Sequence, residues 1–202
     1  LETHPNAVVM HLGCGLDSRV LRVNAPNADW YDLDYGEVMQ LRRVFYSETS
    51  RYHMIHSSVT DLPWLDQVPV PSTEVLIIAE GLFMYLTASE LQKLLQALKA
   101  RFGGFTLIFD AFNSFTVRKI SRHPSIRKTG ARIFWGIDDD RELESWLPGM
   151  QLQQVIPFTK NEAVKFLPAL YRSAFAMAHL FPMARNAQRI LVYTCNNLTT
   201  GS

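Results

Sequence analysis

Glycine residues follow the first apolar segment of the chain in an arrangement that suits the binding of a cofactor. The segment Val8–Val20 reads VVMHLGCGLDSRV, so Gly13, Cys14 and Gly15 come directly after a predicted buried strand. Glycine adopts positive φ and lets a ligand approach the backbone closely. A strand that turns in this way into a helix brings backbone N–H groups toward a ligand at the carboxyl edge of a sheet, and Asp17 is placed to cap that helix. We therefore predict a cofactor-binding turn at these residues.

The alternative interpretation of this segment is an ordinary tight connection between a strand and a helix. The pattern also differs from the dinucleotide fingerprint, because Ser18 stands where that fingerprint has its third glycine. This difference disfavours a pyrophosphate cradle and, with it, a nicotinamide-dependent oxidoreductase.

Two acidic residues end the second predicted strand, about twenty residues after the glycine turn. The motif WYDLDYGEV contains Asp32 and Asp34, which point to the same side of an extended strand. A carboxylate here can accept hydrogen bonds from both hydroxyls of a ribose. We predict this role for Asp34, because it lies closer to the carboxyl edge, with Asp32 or a merely solvated carboxylate as alternatives. A metal site is disfavoured here and at His53 and His56, which a strand places on opposite faces.

Two further acidic positions follow the third and fourth predicted strands. In SSVTDLPW, Asp61 can accept a hydrogen bond from an exocyclic amine while the apolar residues that follow it, Leu62, Pro63 and Trp64, pack on a purine ring, which describes an adenine pocket. In VLIIAEGLFMYL, Glu80 ends a very apolar strand, where a bound ligand would meet the edge of the sheet. Each residue also fits a simple capping role at the start of a turn or helix.

The apolar pattern of the chain predicts elements that bring these motifs to one edge of a sheet. Short apolar runs predict seven strands, at Ala7–Leu12, Ala28–Leu33, Tyr52–Ser57, Val75–Ala79, Phe105–Phe109, Leu152–Phe158 and Ile190–Cys195. Amphipathic segments predict helices at Ser18–Asn24, Gly36–Ser50, Ser89–Phe102 and Asp139–Trp146. This alternation is typical of an α/β fold with a parallel sheet and helices on both faces. The segment before the last strand, which contains Pro168 and Pro182, predicts an interrupted helical insertion.

Composition and charge exclude several classes of protein. The 202 residues carry 20 Lys+Arg and 19 Asp+Glu, a net charge of +1, without blocks of like charge, so we expect a small-molecule partner and no nucleic acid. No apolar run approaches the ~20 residues that span a bilayer, and the N-terminal residues do not resemble a signal peptide. Cys14 and Cys195 are too few and too distant for a disulfide framework. We expect a single domain over residues 1–202, without a membrane partner, in the cytoplasm.

The four motifs and two later ones occur together in one known family. LGCGLDSR, WYDLDYGEVMQLR, SSVTDLPW, AEGLFMYL, FDAF and FWGIDD resemble the leucine carboxyl methyltransferase family, in the branch of the tetracenomycin polyketide O-methyltransferases. The resemblance implies a Rossmann-like class I methyltransferase fold, with a seven-stranded, mostly parallel sheet whose last strand is antiparallel. It also implies that S-adenosylmethionine is the cofactor.

Position by position, the resemblance assigns roles to the predicted site residues. It implies that the turn Gly13–Gly15 contacts the methionine part of the cofactor and that Asp34 binds the ribose hydroxyls. Asp61 and Leu62 match the adenine-side pair, and Glu80 matches the acidic residue that lines the cofactor pocket. Family members carry a further region before the glycine turn, with helices that cover the site and basic residues that hold the cofactor carboxylate. We expect that region to be missing from this chain.

The expected methyl acceptor is a small, largely apolar or aromatic molecule that carries a hydroxyl or a carboxyl. A hydroxyl acceptor is helped by a general base, for which Tyr85, Asp110 and His179 are candidates, whereas a carboxylate needs none. The candidates for lining the acceptor pocket are aromatic: the motif FWGID at Phe134–Asp138, and Phe166, Tyr171, Phe175 and Phe181 in the predicted insertion. The alternatives are a protein C-terminus as acceptor and a non-catalytic domain that binds S-adenosylmethionine.

Overall fold

Seven strands form one sheet in the computed structural model, which describes residues 1–71, 73–121, 130–160, 166, 168 and 185–196. The strands are β1 (Val8–Leu12), β2 (Asp29–Asp34), β3 (Tyr52–His56), β4 (Val75–Ala79), β5 (Phe105–Phe112), β6 (Met150–Pro157) and β7 (Gln188–Cys195). Each lies where an apolar run predicts it. The largest difference is at β5, which continues to Phe112 because β7 pairs with its whole length.

The strand order is β3-β2-β1-β4-β5-β7-β6. Strands β1 to β5 pair in parallel, and β7 runs antiparallel to both of its neighbours. The predicted mixed sheet is therefore confirmed, including its antiparallel last strand. The order reverses between β1 and β4, and in open α/β sheets such a switch point is where ligands bind, at the carboxyl ends of the strands.

The described helices are α1 (Arg19–Arg22), α2 (Gly36–Phe45), α3 (Ala88–Phe102), α4 (Ser114–Ile120) and α5 (Glu142–Trp146), with short 3₁₀ helices at Leu62–Gln67, Phe83–Tyr85 and Phe158–Lys160. Three of the predicted helices are shorter than expected, and α3 matches its prediction within one residue. The sequence did not predict α4, because its segment SFTVRKI buries only Val117 and so has no apolar stripe.

Helices cover both faces of the sheet, as predicted. On one face, α3 buries Leu91, Leu94, Leu95 and Leu98 completely. A capping box between Thr87 and Glu90 begins this helix, since each side chain accepts a hydrogen bond from the other residue's backbone N–H. On the opposite face, α2 packs Met39 into a cluster that includes Val9 and Trp30. These layers leave the carboxyl edge of the sheet to the loops.

The predicted insertion between β6 and β7 lies almost wholly outside the described residues. Tyr171, Phe175, His179 and Phe181 belong to that part of the chain, and Phe166 is described and 89% exposed. Among the helices that the structure describes, none combines the length and the apolar character needed to cross a bilayer.

Candidate functional site

The predicted site residues on β1, β2 and β4 meet at the carboxyl edge of the sheet. The glycine turn follows β1, Asp34 is the last residue of β2, and Glu80 comes directly after β4. Because β1 pairs with both β2 and β4, these residues surround the switch point of the sheet. The fold therefore brings three of the four predicted motifs together.

Both glycines of the turn have positive φ, 64° at Gly13 and 53° at Gly15, as the sequence predicts. A Cβ atom on Gly13 would lie 3.1 Å from Cδ1 of Leu82, so the turn packs closely against the loop after β4. At Gly15 a Cβ would meet nothing within 4 Å, and the backbone there is open to a ligand. The turn therefore presents backbone that a ligand can approach closely, and most side chains at these positions would obstruct that approach.

The amides of this turn already have acceptors within the protein. Gly13 and Cys14 donate their N–H groups to the carbonyl oxygen of Leu33, at 2.8 and 3.2 Å, and Gly15 donates to Oδ2 of Asp34 at 2.8 Å. The expectation that these N–H groups point toward a ligand is therefore wrong for the structure described. The physical reason is that the tight turn brings its amides back onto the end of β2.

Asp34 keeps accepting capacity for a ligand. Its carboxylate receives the N–H of Gly15 at 2.8 Å and the N–H of Tyr35 at 2.7 Å, one on each oxygen. A carboxylate has about four lone-pair sites, so about two remain at the edge of the sheet. Two remaining acceptor sites match the two hydroxyls of a ribose.

Asp32 lies on the same strand but is completely buried. Its carboxylate accepts hydrogen bonds from Trp30 Nε1 at 2.8 Å and Tyr52 Oη at 2.7 Å, and it pairs with Arg42 Nη2 at 2.5 Å. Burial opposes ionisation, but the contacts with His11, Tyr52 and Trp30 and the charge of Arg42 together lower the pKa of Asp32. Asp32 is therefore an internal ion-pair partner, which rejects it as the ribose-binding alternative.

The adenine-side pair lies somewhat apart from the other motifs. Asp61 is exposed and immediately precedes the 3₁₀ helix Leu62–Gln67, and its carboxylate makes no capping hydrogen bond to that helix. Leu62 packs partly buried against the main core. The residues of this segment that line the cavity next to Asp34 are Ser57 and Val59. The structure thus leaves the Asp61 carboxylate available and gives the simple capping role no support.

Arg19 lies at this candidate site, although the sequence analysis did not select it. Its Nη2 atom lies 2.5 Å from Oε2 of Glu80 and 3.1 Å from Oδ2 of Asp17, and its backbone N–H donates to Oδ1 of Asp17 at 2.6 Å. The signal was in the motif LGCGLDSR, where an arginine comes two residues after the predicted capping aspartate. Asp17 accepts the N–H of Arg19, the first residue of α1, but the residue at the N-cap position is Ser18 and not the predicted Asp17.

Two cavities flank the glycine turn. One, of about 440 Å³, is lined by Gly13, Asp34, Leu82, Tyr85 and Phe134, among others. The other, of about 390 Å³, is bordered by Arg19, Glu80 and Asp110 and extends over isoleucines of β4 to β7. A larger depression of about 810 Å³ lies at the opposite, amino edge and contains none of the predicted site residues.

The candidate bases and pocket-lining residues are divided between these cavities. Asp110 borders the isoleucine-lined cavity, and Tyr85 lines the other, to which Asp34 also contributes. From the motif FWGID, Phe134 lines the cavity at Asp34, whereas Trp135 and Ile137 are buried in the core. Sequence periodicity alone does not separate these roles, because core and pocket residues alternate within one short segment.

Comparison with known proteins identifies the family. The family model "Leucine carboxyl methyltransferase" matches residues 4–99. Tetracenomycin polyketide synthesis O-methyltransferase TcmP of Streptomyces glaucescens is 36% identical over 195 residues, which are 96% of this chain and 72% of that protein. This chain belongs to the leucine carboxyl methyltransferase family. It is an S-adenosylmethionine-dependent methyltransferase, and S-adenosylmethionine is its cofactor.

This chain is also similar to the S-adenosyl-L-methionine-dependent methyltransferase dpfgK of Gibberella zeae. It is 34% identical over 169 residues, which are 76% of this chain and 56% of the relative.

Solved structures at low identity share the fold. An S-adenosylmethionine-dependent methyltransferase from Anabaena variabilis has a TM-score of 0.60 at 11% identity, over 95% of this chain and 78% of its own. Magnesium protoporphyrin IX methyltransferase from Synechocystis, with bound SAH, has a TM-score of 0.52 at 12% identity, over 93% of this chain and 74% of its own. The class I methyltransferase fold predicted from the sequence is confirmed.

The described residues fit this cofactor. The Asp34 carboxylate suits a ribose diol, and the Glu80 carboxylate suits an ammonium group. The backbone at Gly15 leaves room for a ligand, because a Cβ there would meet nothing within 4 Å.

Proposed function

We propose that the chain methylates the hydroxyl or carboxyl group of a small, largely apolar or aromatic acceptor. The observation that carries the proposal is the cavity of about 390 Å³ that borders Glu80 at the carboxyl edge of the sheet. The name of the relative TcmP, a polyketide synthesis O-methyltransferase, supports the same acceptor class.

The walls of this cavity favour a largely apolar acceptor. Among the described residues, its apolar lining comprises Ile78, Ala79, Ile108, Phe109, Ile156, Pro157, Phe158 and Ile190. The polar residues of the described lining are Arg19, Glu80, Asp110, Gln188 and Arg189. Small-molecule sites typically combine mostly apolar walls with a few polar groups that orient the ligand. An aromatic acceptor with one oxygen function matches this division.

For the cofactor, we propose the residues that the sequence predicts. The turn of Gly13, Cys14 and Gly15 provides the close backbone surface, and Asp34 binds the ribose hydroxyls. Asp61, Leu62 and Glu80 complete the binding set, the first two on the adenine side. The sulfonium supplies a methyl group that is already activated, so the protein chiefly has to align the acceptor oxygen and exclude water.

Asp110 is the residue we propose as general base for a hydroxyl acceptor. Its Oδ1 accepts the N–H of Gly81 at 2.6 Å, and among the described residues its Oδ2 has a long contact of 3.5 Å with Gln188 Nε2. Burial raises the pKa of Asp110, and the Glu80 carboxylate raises it further, although the Gly81 N–H acts in the opposite direction. A raised pKa makes a carboxylate a better proton acceptor near neutral pH.

Acceptor assays test the proposal. Incubation with S-adenosylmethionine and a panel that includes 2-naphthol and 2-naphthoic acid should yield a methyl ether or methyl ester, detected by mass spectrometry. If the protein binds the cofactor but methylates only peptides with a free C-terminal carboxylate, the small-acceptor proposal is wrong. If the folded protein binds neither S-adenosylmethionine nor S-adenosylhomocysteine at millimolar concentration, the site assignment is wrong as well.

The role of Asp110 has its own test. Asp110→Asn should lower kcat on a naphthol by about a hundredfold to ten-thousandfold, the range for loss of a general base, and leave esterification of a carboxylate nearly unchanged. Asp29→Asn is the matched control, because Asp29 begins β2 at the opposite edge and only pairs with Arg51 at 3.0 Å. Equal losses on both acceptor types would show that Asp110 shapes the site and accepts no proton.

A further inference from the structure

Two side chains at the end of helix α2 bind the carbonyl groups of the glycine turn. Arg42 Nη1 donates to the carbonyl oxygen of Gly15 at 2.9 Å, and Tyr46 Oη donates to that of Leu16 at 3.1 Å. Arg42 lies in the last turn of the helix and Tyr46 directly follows it, so the two are neighbours on its surface. The Arg42 guanidinium lies 4.3 Å from the centre of the Tyr46 ring. One small surface therefore holds two consecutive carbonyl groups of the turn.

Arg42 is itself held in place by the core. Its side chain is completely buried, with Nη2 paired to Asp32 Oδ2 at 2.5 Å and Nε donating to Tyr52 Oη at 2.9 Å. The guanidinium is a rigid planar fork, so contacts at two of its nitrogens fix the direction of the third. The buried ion pair thus sets the direction of the Nη1 group that binds Gly15.

Gly15 needs contacts from elsewhere in the protein because it has no side chain that would restrict its backbone. Its φ is 53°, and glycine loses more conformational freedom on folding than any other residue. Its N–H donates to Asp34 Oδ2 at 2.8 Å, and its carbonyl oxygen accepts from Arg42. These two contacts lie on opposite sides of the Gly15 Cα, so together they restrict both of its backbone torsions.

The position of Gly15 in turn orients the carboxylate of Asp34. Oδ2 accepts the N–H of Gly15, and Oδ1 accepts the N–H of Tyr35 at 2.7 Å. If Gly15 moved away, only one of the two carboxylate oxygens would keep its backbone donor, and the carboxylate would be free to rotate. Binding two adjacent hydroxyls at once requires one defined orientation of that group.

We propose that Arg42 and Tyr46 are positioning residues for cofactor binding, which hold the glycine turn so that Asp34 keeps the orientation that recognises a ribose diol. This inference rests on the proposed role of Asp34 in the cofactor site. A buried ion pair is weak evidence for stability, because apolar side chains of similar volume often stabilise a core equally well. Apolar side chains could not bind the carbonyl oxygen of Gly15, which gives the pair of Asp32 and Arg42 a second role.

Calorimetry with S-adenosylhomocysteine and its 2′-deoxyribose analogue tests the inference without any assay of turnover. We define the ribose preference as the dissociation constant of the analogue divided by that of S-adenosylhomocysteine. In the unsubstituted protein we expect a preference of about tenfold to a hundredfold, the contribution of one hydrogen bond to a charged acceptor. A side chain that only stabilises the fold would leave this preference unchanged, because both ligands bind to the same fold.

Arg42→Lys should lower the ribose preference by about threefold to tenfold, as expected when a hydrogen bond is weakened. Lysine keeps a positive charge beside Asp32 but lacks the planar fork that also reaches Gly15. In a protein that already carries Asp34→Ala, the preference should be close to one. Arg42→Lys should then lower it no further, since Arg42 acts on the ribose only through Gly15 and Asp34.

Tyr46→Phe is a milder variant that leaves the buried ion pair intact. It removes the hydroxyl that binds Leu16, and it should lower the ribose preference by about twofold to threefold, the effect of one weak hydrogen bond. Because Tyr46 is only partly buried, this variant also serves as the test if Arg42→Lys does not fold.

The matched control is Trp30→Phe. Trp30 Nε1 donates to Asp32 Oδ1 at 2.8 Å, and this is the hydrogen bond described for its side chain, which does not reach the glycine turn. Like Arg42→Lys, it should lower the free energy of unfolding in urea. Unlike Arg42→Lys, it should leave the ribose preference unchanged.

The outcomes separate this inference from the proposal on which it depends. If the folded Arg42→Lys and Tyr46→Phe variants keep the full ribose preference, or if Trp30→Phe lowers it equally, the positioning role is wrong while the role of Asp34 stands. If Arg42→Lys does not fold, an unchanged preference in Tyr46→Phe overturns the inference. If the unsubstituted protein binds both ligands equally well, the ribose role of Asp34 is wrong, and the inference is wrong with it.

Discussion

Strand β2 carries two aspartates with the same side-chain chemistry, two residues apart and on the same face, in opposite environments. Asp32 is completely buried and has partners from four side chains: His11, Trp30, Tyr52 and Arg42. Asp34 is only partly buried, and its described partners are two backbone N–H groups. The first carboxylate is saturated by protein, and the second is not.

The difference suits the proposed cofactor site, in which β2 stabilises the fold through Asp32 and binds a ligand through Asp34. A buried charge is tolerated only when its partners satisfy it, so Asp32 has no capacity left for a ligand. A step of two residues keeps the side chain on the same face but moves it to the edge, where hydrogen-bonding capacity can remain unused. Burial and saturation, and not residue type, therefore separate a structural from a ligand-binding carboxylate.

The largest effect is expected from removing the cation that balances Asp32. Arg42→Met should lower the free energy of unfolding by about 3–5 kcal/mol, the range for a buried pair that loses one partner. Urea unfolding followed by circular dichroism measures it. Arg43→Met is the control, since the Arg43 side chain is 42% exposed and lies 3.9 Å from Glu48. If both variants lose a similar free energy of unfolding, the buried pair of Asp32 and Arg42 contributes no more to stability than the exposed Arg43.

The next effect in size is on affinity. Asp34→Ala should weaken S-adenosylhomocysteine by about tenfold to a hundredfold, because hydrogen bonds to a charged acceptor contribute about 1.5–3 kcal/mol. The free energy of unfolding should change much less than in Arg42→Met. The two N–H groups that donate to Asp34 can donate to water instead at the edge of the sheet. Titration calorimetry measures the dissociation constant, and urea unfolding of the same preparation measures the free energy of unfolding. An unchanged dissociation constant would move the ribose role to another residue.

The smallest effect is a dependence of stability on pH. Because the folded-state pKa of Asp32 is lowered, its contribution is fully present above the ordinary aspartate pKa of about 3.9 and is lost as the pH falls through the folded-state value. The stability advantage of the unsubstituted protein over Asp32→Asn should therefore be constant between about pH 7 and 5 and shrink below about pH 4. An advantage that grows on acidification would contradict the lowered pKa.

Strands and motifs were predictable because their determinants are local. Apolar runs located all the described strands, and the period of two placed Asp32 and Asp34 on one face. The saturation of Asp32 was not predictable, since it depends on Arg42, which the sequence pattern assigns to an ordinary amphipathic helix. Arg42 is instead completely buried and reaches across to β2. Arg19 was missed for the same reason, because its partner Glu80 lies 61 positions away.

The completely buried carboxylate of Asp32 and the partly buried carboxylate of Asp34 are connected through one residue of the glycine turn. Gly15 donates its N–H to Asp34 at 2.8 Å, and its carbonyl oxygen accepts a hydrogen bond from Arg42 Nη1 at 2.9 Å. The turn therefore depends on helix α2 and would not keep its conformation if it were transferred alone to another protein. A chimera that receives only the strand and glycine loop of this protein would lack the arginine that holds the loop from behind. Exchange of cofactor-binding segments between methyltransferases of this kind should succeed only when helix α2 is transferred with the loop.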